Sequence, residues 1–328
     1  MFPALLLLAV QDCQECHIKQ AQSQVSAPMA QTLQIPLESR LLQSKPSLAF
    51  SKAGYTYRVL RNGSSVNYSV SNGNASASAP LAWAVGYGAT GQTFLFQRNG
   101  TWYESAISFY PAIQGLDWTP GHAARTRRNL DEALGRKLDA AEVRNCFGCH
   151  STDAVWTESA TLKSLTPGVA CSQCHRGAEQ HAGALKNGQP ARAAMAKLGE
   201  LGAEDLSAIC SNCHPSWAEV AEKGPRGVGN VRHQVYRLTS SRCYDTDDRR
   251  ISCAACHDPH GHNVKQVSFY DAKCQNCHSP GDAKVKRCPV SGSGCITCHM
   301  PKVEVPELHS RFTDHRIRIA RPGEKYPD

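Results

Sequence analysis

Seven times along the chain, two cysteines stand three positions apart with a histidine directly after the second. The strings are CQECH from Cys13, CFGCH from Cys146, CSQCH from Cys171, CSNCH from Cys210, CAACH from Cys253, CQNCH from Cys274 and CITCH from Cys295. Their second cysteines are Cys16, Cys149, Cys174, Cys213, Cys256, Cys277 and Cys298. Their histidines are His17, His150, His175, His214, His257, His278 and His299. Fourteen of the 16 cysteines are used in this way, leaving Cys243 and Cys288.

Two thiols at this spacing with an adjoining imidazole read as a c-type haem attachment site. The thiols add across the porphyrin vinyl groups, and the imidazole becomes the proximal ligand of the iron. A single C-x-x-C pair would equally suit zinc or a redox dithiol. Histidine is roughly 4% of this chain, so seven chance placements after seven pairs have a probability on the order of 10⁻¹⁰. The repeat therefore favours haem over zinc and over a disulfide framework. The expected cofactor is haem c, seven per chain, bound covalently.

Such attachment takes place outside the cytoplasmic membrane, so export to the periplasm or beyond is expected. Residues 1–12 read as a possible truncated signal segment, with Leu5 to Val10 as its apolar part but no basic stretch before it. No run of 18 or more apolar residues follows, so no membrane span is expected. The formal charge of +8 would be offset by about 14 haem propionates to roughly −6. Nucleic acid is accordingly not an expected partner.

The sixth position of each iron separates a carrier from an enzyme, because an open position can bind and activate a small molecule. Outside the motifs the chain has His122, His181, His233, His260, His262, His309 and His315, with Met29 a helix length past the first motif. Eight candidates for seven irons approach saturation. His262 is set aside because it stands two residues from His260. His260 and His181 follow their own motifs too closely to reach back, and would serve neighbouring haems. Met29 would give the first haem a Met/His pair and a higher potential. Cys243 and Cys288 would form a disulfide in an oxidising compartment, or remain as two thiols.

The first motif stands alone, and the other six fall between Cys146 and His299 at roughly 25 residues per haem, too few for a conventional apolar core. The expected fold is a mainly α and irregular multihaem cytochrome with a haem-stacked core, plus a small inserted antiparallel β-domain. The insertion is read from YTYRVLRNG, SVNYSVSNG, LAWAVGYG and TFLFQRNGTWYESAISFY, which alternate apolar and polar residues. Asn62-Gly63, Asn72-Gly73 and Asn99-Gly100 are expected as its type I′ hairpin turns. Gly121 to Asn145 reads as charged helix, with further helix near Pro190–Leu201 and Trp217–Lys223. The expected division is a signal segment (1–12), a first haem segment (13–50), the β-rich insertion (51–120), a six-haem domain (121–320) and a polar tail (321–328).

The strings GVACSQCHRGAEQH, SRCYD, ISCAACHDPH and CITCHMPKVEVPELHSRFTDHRI resemble those of bacterial multihaem cytochromes related to the tetrahaem cytochrome of nitrifiers. VGYGATGQTFLFQRNGTWYE resembles an insertion of that group. The resemblance implies distal ligand roles for His181, His233, His260 and His315, with His122 and His309 as further candidates. The N-terminal segment departs from it by carrying Met29 where relatives have histidine. The leading expectation is an exported electron carrier without a catalytic residue, exchanging single electrons with other cytochromes or with a quinol-oxidising or terminal reductase complex. The competing expectations are a haem oxidoreductase acting on a small nitrogen or sulfur compound at one open haem, and a self-associating subunit of an extracellular haem filament. Against the former, no C-x-x-C-K site of the pentahaem nitrite reductase kind occurs.

Overall fold

The computed structural model describes residues 13–157, 161–224, 226–279, 288–321 and 323–327. The expected signal segment, 1–12, lies outside them. The chain divides into two compact units, Met1–Gln189 with Pro306–Ser310, and Pro190–Val305 with Arg311–Asp328. The first holds three C-x-x-C-H motifs and the second holds four.

Alternating aromatic and β-branched residues build the first unit. Seven strands follow one another in space as in sequence: β2 (Ser47–Lys52), β3 (Tyr55–Asn62), β4 (Ser65–Ser71), β5 (Ser76–Val85), β6 (Gln92–Arg98), β7 (Thr101–Tyr110) and β8 (Gly115–Trp118). β1 (Leu33–Gln34) pairs with β5, and β9 (Gly135–Lys137) with β7, so that nine strands form one antiparallel sheet. Inward residues meet across strands, as at Tyr57 opposite Val70 and Val59 opposite Tyr68, and all four are buried. The sheet curls until its first and last long-path strands meet. Phe50 of β2 stands edge-on to Trp118 of β8 at 5.3 Å, and Lys52 Nζ lies 3.4 Å from Asp117 Oδ1. Register shifts beside Trp83 and Leu95 supply the bending.

The expected turns form in three different ways. Asn99 and Gly100 have φ of +49° and +74°, as a two-residue type I′ hairpin requires. Asn72 instead folds as an Asx turn, its Oδ1 accepting from the N–H of Asn74 and Ala75. At Asn62-Gly63 only the glycine takes a positive φ, +47°. A fourth turn, Ala53-Gly54, has φ of +56° and +81° and carries no Asn.

Among the described residues two apolar clusters form, and both belong to this unit. One fills the curled sheet with Tyr57, Tyr68, Phe94, Phe96, Ile107 and Trp118. The other joins the sheet to the helix Ala140–His150 through Leu95, Trp102, Val143 and Phe147. That helix starts at a capping box in which Asp139 and Glu142 bond reciprocally. Phe147 lies within the CFGCH motif, is fully buried and stands 5.3 Å from the Trp102 ring.

These observations overturn the expected mainly α and irregular fold with a haem-stacked core. The dominant element is a large, nearly closed antiparallel sheet with a core of its own side chains, extending on both sides of the expected 51–120 insertion. Sequence periodicity pointed to its strands but not to their closure. Neither is Gly121 to Asn145 one helix. It comprises irregular chain, the helix Leu130–Leu134, strand β9 and the start of Ala140–His150. Gly135 breaks it, because a Cβ there would lie 2.2 Å from the Glu104 carbonyl oxygen. Pro190–Leu201 holds two 3-10 turns, whereas Trp217–Lys223 is helical as read.

The second unit is built differently. Its described helices run from four residues, Cys253–Cys256, to twelve, Val267–His278. Among its described residues the buried apolar side chains are Ala193, Ala203, Val220, Val231, Val235 and Val305. No large apolar residue is among them, while Trp217 and Ile319 are 64% and 74% exposed. A polypeptide this size needs more apolar burial than that to fold on its own.

Candidate haem-binding motifs

Each C-x-x-C-H string folds into one helical turn. The histidine N–H reaches back to the first cysteine carbonyl in Cys13–His17 (2.8 Å), Cys171–His175 (2.8 Å), Cys210–His214 (2.9 Å) and Cys253–His257 (2.9 Å). The other three strings lie inside the helices Ala140–His150, Val267–His278 and Cys295–His299. An i to i+3 spacing puts both thiols on one helix face, and the imidazole follows one residue on.

The motifs are neighbours within each unit. In the first, Gln173 Nε2 donates to the Gly148 carbonyl at 3.3 Å, which ties the third motif to the second. The Val169 N–H donates to the Met29 carbonyl at 3.0 Å, drawing the segment after the first motif against the third. Gly168 is required there, since its φ is +75° and a Cβ would overlap the Ala30 carbonyl. In the second unit the Cys210 thiol donates a hydrogen bond to the Cys253 sulfur and lowers the latter's pKa. Asp271 accepts from the N–H of Gly294 (2.7 Å) and Cys295 (2.8 Å), so the helix bearing the sixth motif caps the seventh. Those two bonds hold the Asp271 carboxyl below its ordinary range.

Imidazoles oppose one another at two motifs. The His17 and His181 ring centres are 6.3 Å apart, and those of His257 and His315 are 6.1 Å apart. A metal bonded to two imidazole nitrogens at about 2.0 Å, with each ring centre about 1.1 Å beyond its nitrogen, would set the centres roughly 6.2 Å apart. The spacing therefore fits an iron between each pair. His181, rather than Met29, is the ring opposite His17; the Met29 side chain is 37% exposed.

Several ring nitrogens are already oriented. Nδ1 of His299 donates to the Arg318 carbonyl at 2.8 Å, Nδ1 of His315 to the Thr313 carbonyl at 3.0 Å, and Nδ1 of His214 faces Gln234 Oε1 at 3.2 Å. His150 Nδ1 bonds both the hydroxyl and the carbonyl of Thr32. Fixing Nδ1–H in this way selects the tautomer that presents Nε2 to a metal. Burial, with help from the neighbouring His257, pushes the His315 pKa down to about 4, so its imidazole is neutral. Both ring nitrogens of His233 are buried without a hydrogen-bond partner. Burial lowers the His233 pKa, and the nearby His214 contributes to the same shift. A neutral imidazole with both nitrogens buried and unpartnered is what a missing ligand contact leaves behind.

The remaining candidates are placed elsewhere. His122 Nε2 is 3.0 Å from Glu104 Oε2, and His309 Nε2 is 3.0 Å from Asp117 Oδ2. In both, the nitrogen an iron would take faces a carboxylate. His260 sits in the turn after its own motif, its Nδ1 3.5 Å from Asp258. Cys243 and Cys288 form no disulfide. Cys243 lies beside the Cys274 and Cys277 thiols, while Cys288 is on an exposed turn bonded by the N–H groups of Ser291 and Val290.

The residues thus fit haem. The C-x-x-C-H turns are formed, two pairs of imidazoles stand at iron-spanning distance, and the described residues of the second unit bury no apolar side chain larger than valine. Among the described residues no group of three or more His, Cys, Asp or Glu side chains converges as zinc would require. The orienting acceptors Gln234, Thr32, Thr313 and Arg318 are not visible in sequence, because the backbone or a neighbouring segment supplies them.

No family model matches the chain, and no curated protein matches it. Among solved structures it is similar to the outer cell wall cytochrome OcwA, with a TM-score of 0.54 at 12% identity, over 94% of this chain and 78% of that one. At that identity the likeness is one of fold. Among the described residues no helix is long and apolar enough to cross a membrane.

Proposed function

We propose that the chain is an exported heptahaem c-type cytochrome that passes single electrons along its haems. The observation that carries this reading is the set of seven C-x-x-C-H turns, with two of their histidines facing a second imidazole at 6.1 and 6.3 Å. When bound, haem supplies a reversible ferric–ferrous couple. The chain attaches each porphyrin through two cysteines and offers His17, His150, His175, His214, His257, His278 and His299 as proximal ligands. His181 and His315 are the distal ligands best supported by geometry, followed by His233. Two strong-field imidazoles leave an iron no position for substrate, which suits a carrier. The linkage of motif to motif within each unit supports close haems, and the name of the similar structure points the same way. Redox proteins outside the cytoplasm would be the partners.

Expression with a cytochrome c maturation system tests the reading. The intact mass should exceed that of the polypeptide by about seven haem masses and should survive acid–acetone extraction. The oxidised protein should give low-spin ferric resonances from haems with two imidazoles. Five haems or fewer, or pigment lost on extraction, would overturn it.

A further inference from the structure

One ion pair in the second unit is fully buried and serves no attachment motif directly. Arg237 and Asp314 are both 0% exposed. The guanidinium grips the carboxylate with two parallel bonds, Nε to Oδ1 at 2.9 Å and Nη2 to Oδ2 at 3.0 Å. Arg237 Nη1 also donates to Asn230 Oδ1 (3.3 Å) and to the Pro327 carbonyl (2.9 Å), and its guanidinium lies 4.8 Å from the centre of the Tyr326 ring. Asp314 accepts further bonds from Arg318 Nη1 (2.8 Å) and from the Arg316 N–H (3.0 Å).

Its neighbours in the chain are two imidazoles. Arg237 stands one helical turn after His233, and its N–H donates to the His233 carbonyl at 2.9 Å. Asp314 directly precedes His315. Ser241 then stitches the same two segments together, donating to the His315 carbonyl at 3.2 Å and accepting from the Ile317 N–H at 2.8 Å. His315 faces His257 at 6.1 Å, and His214 lies near both His233 and His315.

We propose that the Arg237–Asp314 pair is a positioning device that holds His233 and His315 as one unit against the motifs Cys210–His214 and Cys253–His257. This rests on the haem reading above. A six-residue helix and an extended segment cannot by themselves fix two rings to the few tenths of an ångström that ligation demands. A planar fork matched to a carboxylate in a dry site fixes both distance and angle. Removing one partner leaves the other charge buried and uncompensated, so the two segments must shift to reach water. Both distal rings then move together.

The test is Asp314→Asn in the mature, haem-loaded protein, with Arg237→Lys in parallel. Each variant should retain its full haem content. Each should also show a high-spin ferric signal equivalent to about one to two haems per chain, and the same fraction should bind carbon monoxide when reduced. A pair that only stabilised the fold would lower the unfolding temperature and leave the spectrum of the folded protein unchanged; that outcome overturns the proposal. Should neither single variant accumulate, the double variant Arg237→Gln/Asp314→Asn removes both charges of the pair, leaving only the partly exposed Arg318 beside it, and carries the same two outcomes. His315→Ala separates the levels. If it produces a high-spin haem while Asp314→Asn does not, the positioning role fails and the ligand role stands. If His315→Ala is spectroscopically silent, His315 binds no iron and the positioning proposal falls, while the haem count and acid–acetone extraction still decide the reading beneath it.

Discussion

At the scale of single residues, the hydrogen bonds at ring nitrogens would tune the haems. The acceptor at His214 Nδ1 is the side chain of Gln234. Glutamate at that position would accept more strongly, give the imidazole more anionic character and favour ferric iron; leucine would do the reverse. Spectroelectrochemical titration should therefore find one haem potential lowered in Gln234→Glu and raised in Gln234→Leu. A shift of the same sign in both would exclude the ligand geometry described. Glu104 permits a prediction on pH. Burial alone would raise its pKa, but the bond from His122 and the charge of Arg136 outweigh burial and leave it below its ordinary 4.5. A carboxylate depressed on folding contributes stability that is full above its unfolded pKa and is lost as pH falls through the folded value. Thermal unfolding of the β-rich unit should thus be steady from neutrality to about pH 5 and fall below 4.5, and Glu104→Gln should flatten that fall.

At the scale of elements, hairpin turns and helix anchors carry the testable energetics. Ala53 has φ +56° in the β2–β3 turn, a conformation that costs an L-residue with a Cβ about 1–2 kcal/mol. Ala53→Gly or Ala53→Asn should stabilise the sheet by about 0.5–1 kcal/mol in denaturant titration. Phe147 joins the second attachment turn to the outer face of the sheet, between the Trp102 and Trp156 rings. Phe147→Ala should cost about 3–5 kcal/mol and loosen the Cys146–His150 turn. Hairpins signalled by Asn-Gly were legible because turn chemistry is local. The Ala53 turn was not, because there strand pairing imposes a conformation that its residue does not favour.

At the scale of the whole chain, the two units draw stability from different sources. The sheet buries Tyr, Phe, Trp and Ile side chains, whereas the described core of the second unit reaches no further than alanine and valine. Chain produced without haem attachment should therefore be folded only in part. Limited proteolysis should leave a resistant fragment that includes residues 47–118 and digest most of 190–328. Attachment of haem should extend protection to the second region. Equal resistance of both regions without haem would mean that the second unit needs no prosthetic group to fold.

What the sequence determined by itself was chemistry set by contiguous residues. Five contiguous residues make up each C-x-x-C-H turn, so all seven motifs could be read directly. The alternating strands from Tyr55 to Tyr110 were legible for the same reason, their period being a local property. The pairing of His17 with His181 and of His257 with His315 spans 164 and 58 positions of chain. Spacing set aside only His262 and left Met29, His122, His260 and His309 beside His181, His233 and His315, because a ligand is chosen by where its ring points after folding. The closing of the sheet upon itself, the carboxylates that occupy His122 and His309, and the burial of Arg237 against Asp314 likewise became visible only in three dimensions. Each depends on a contact between segments far apart in sequence, and only the packing of the whole unit decides such contacts.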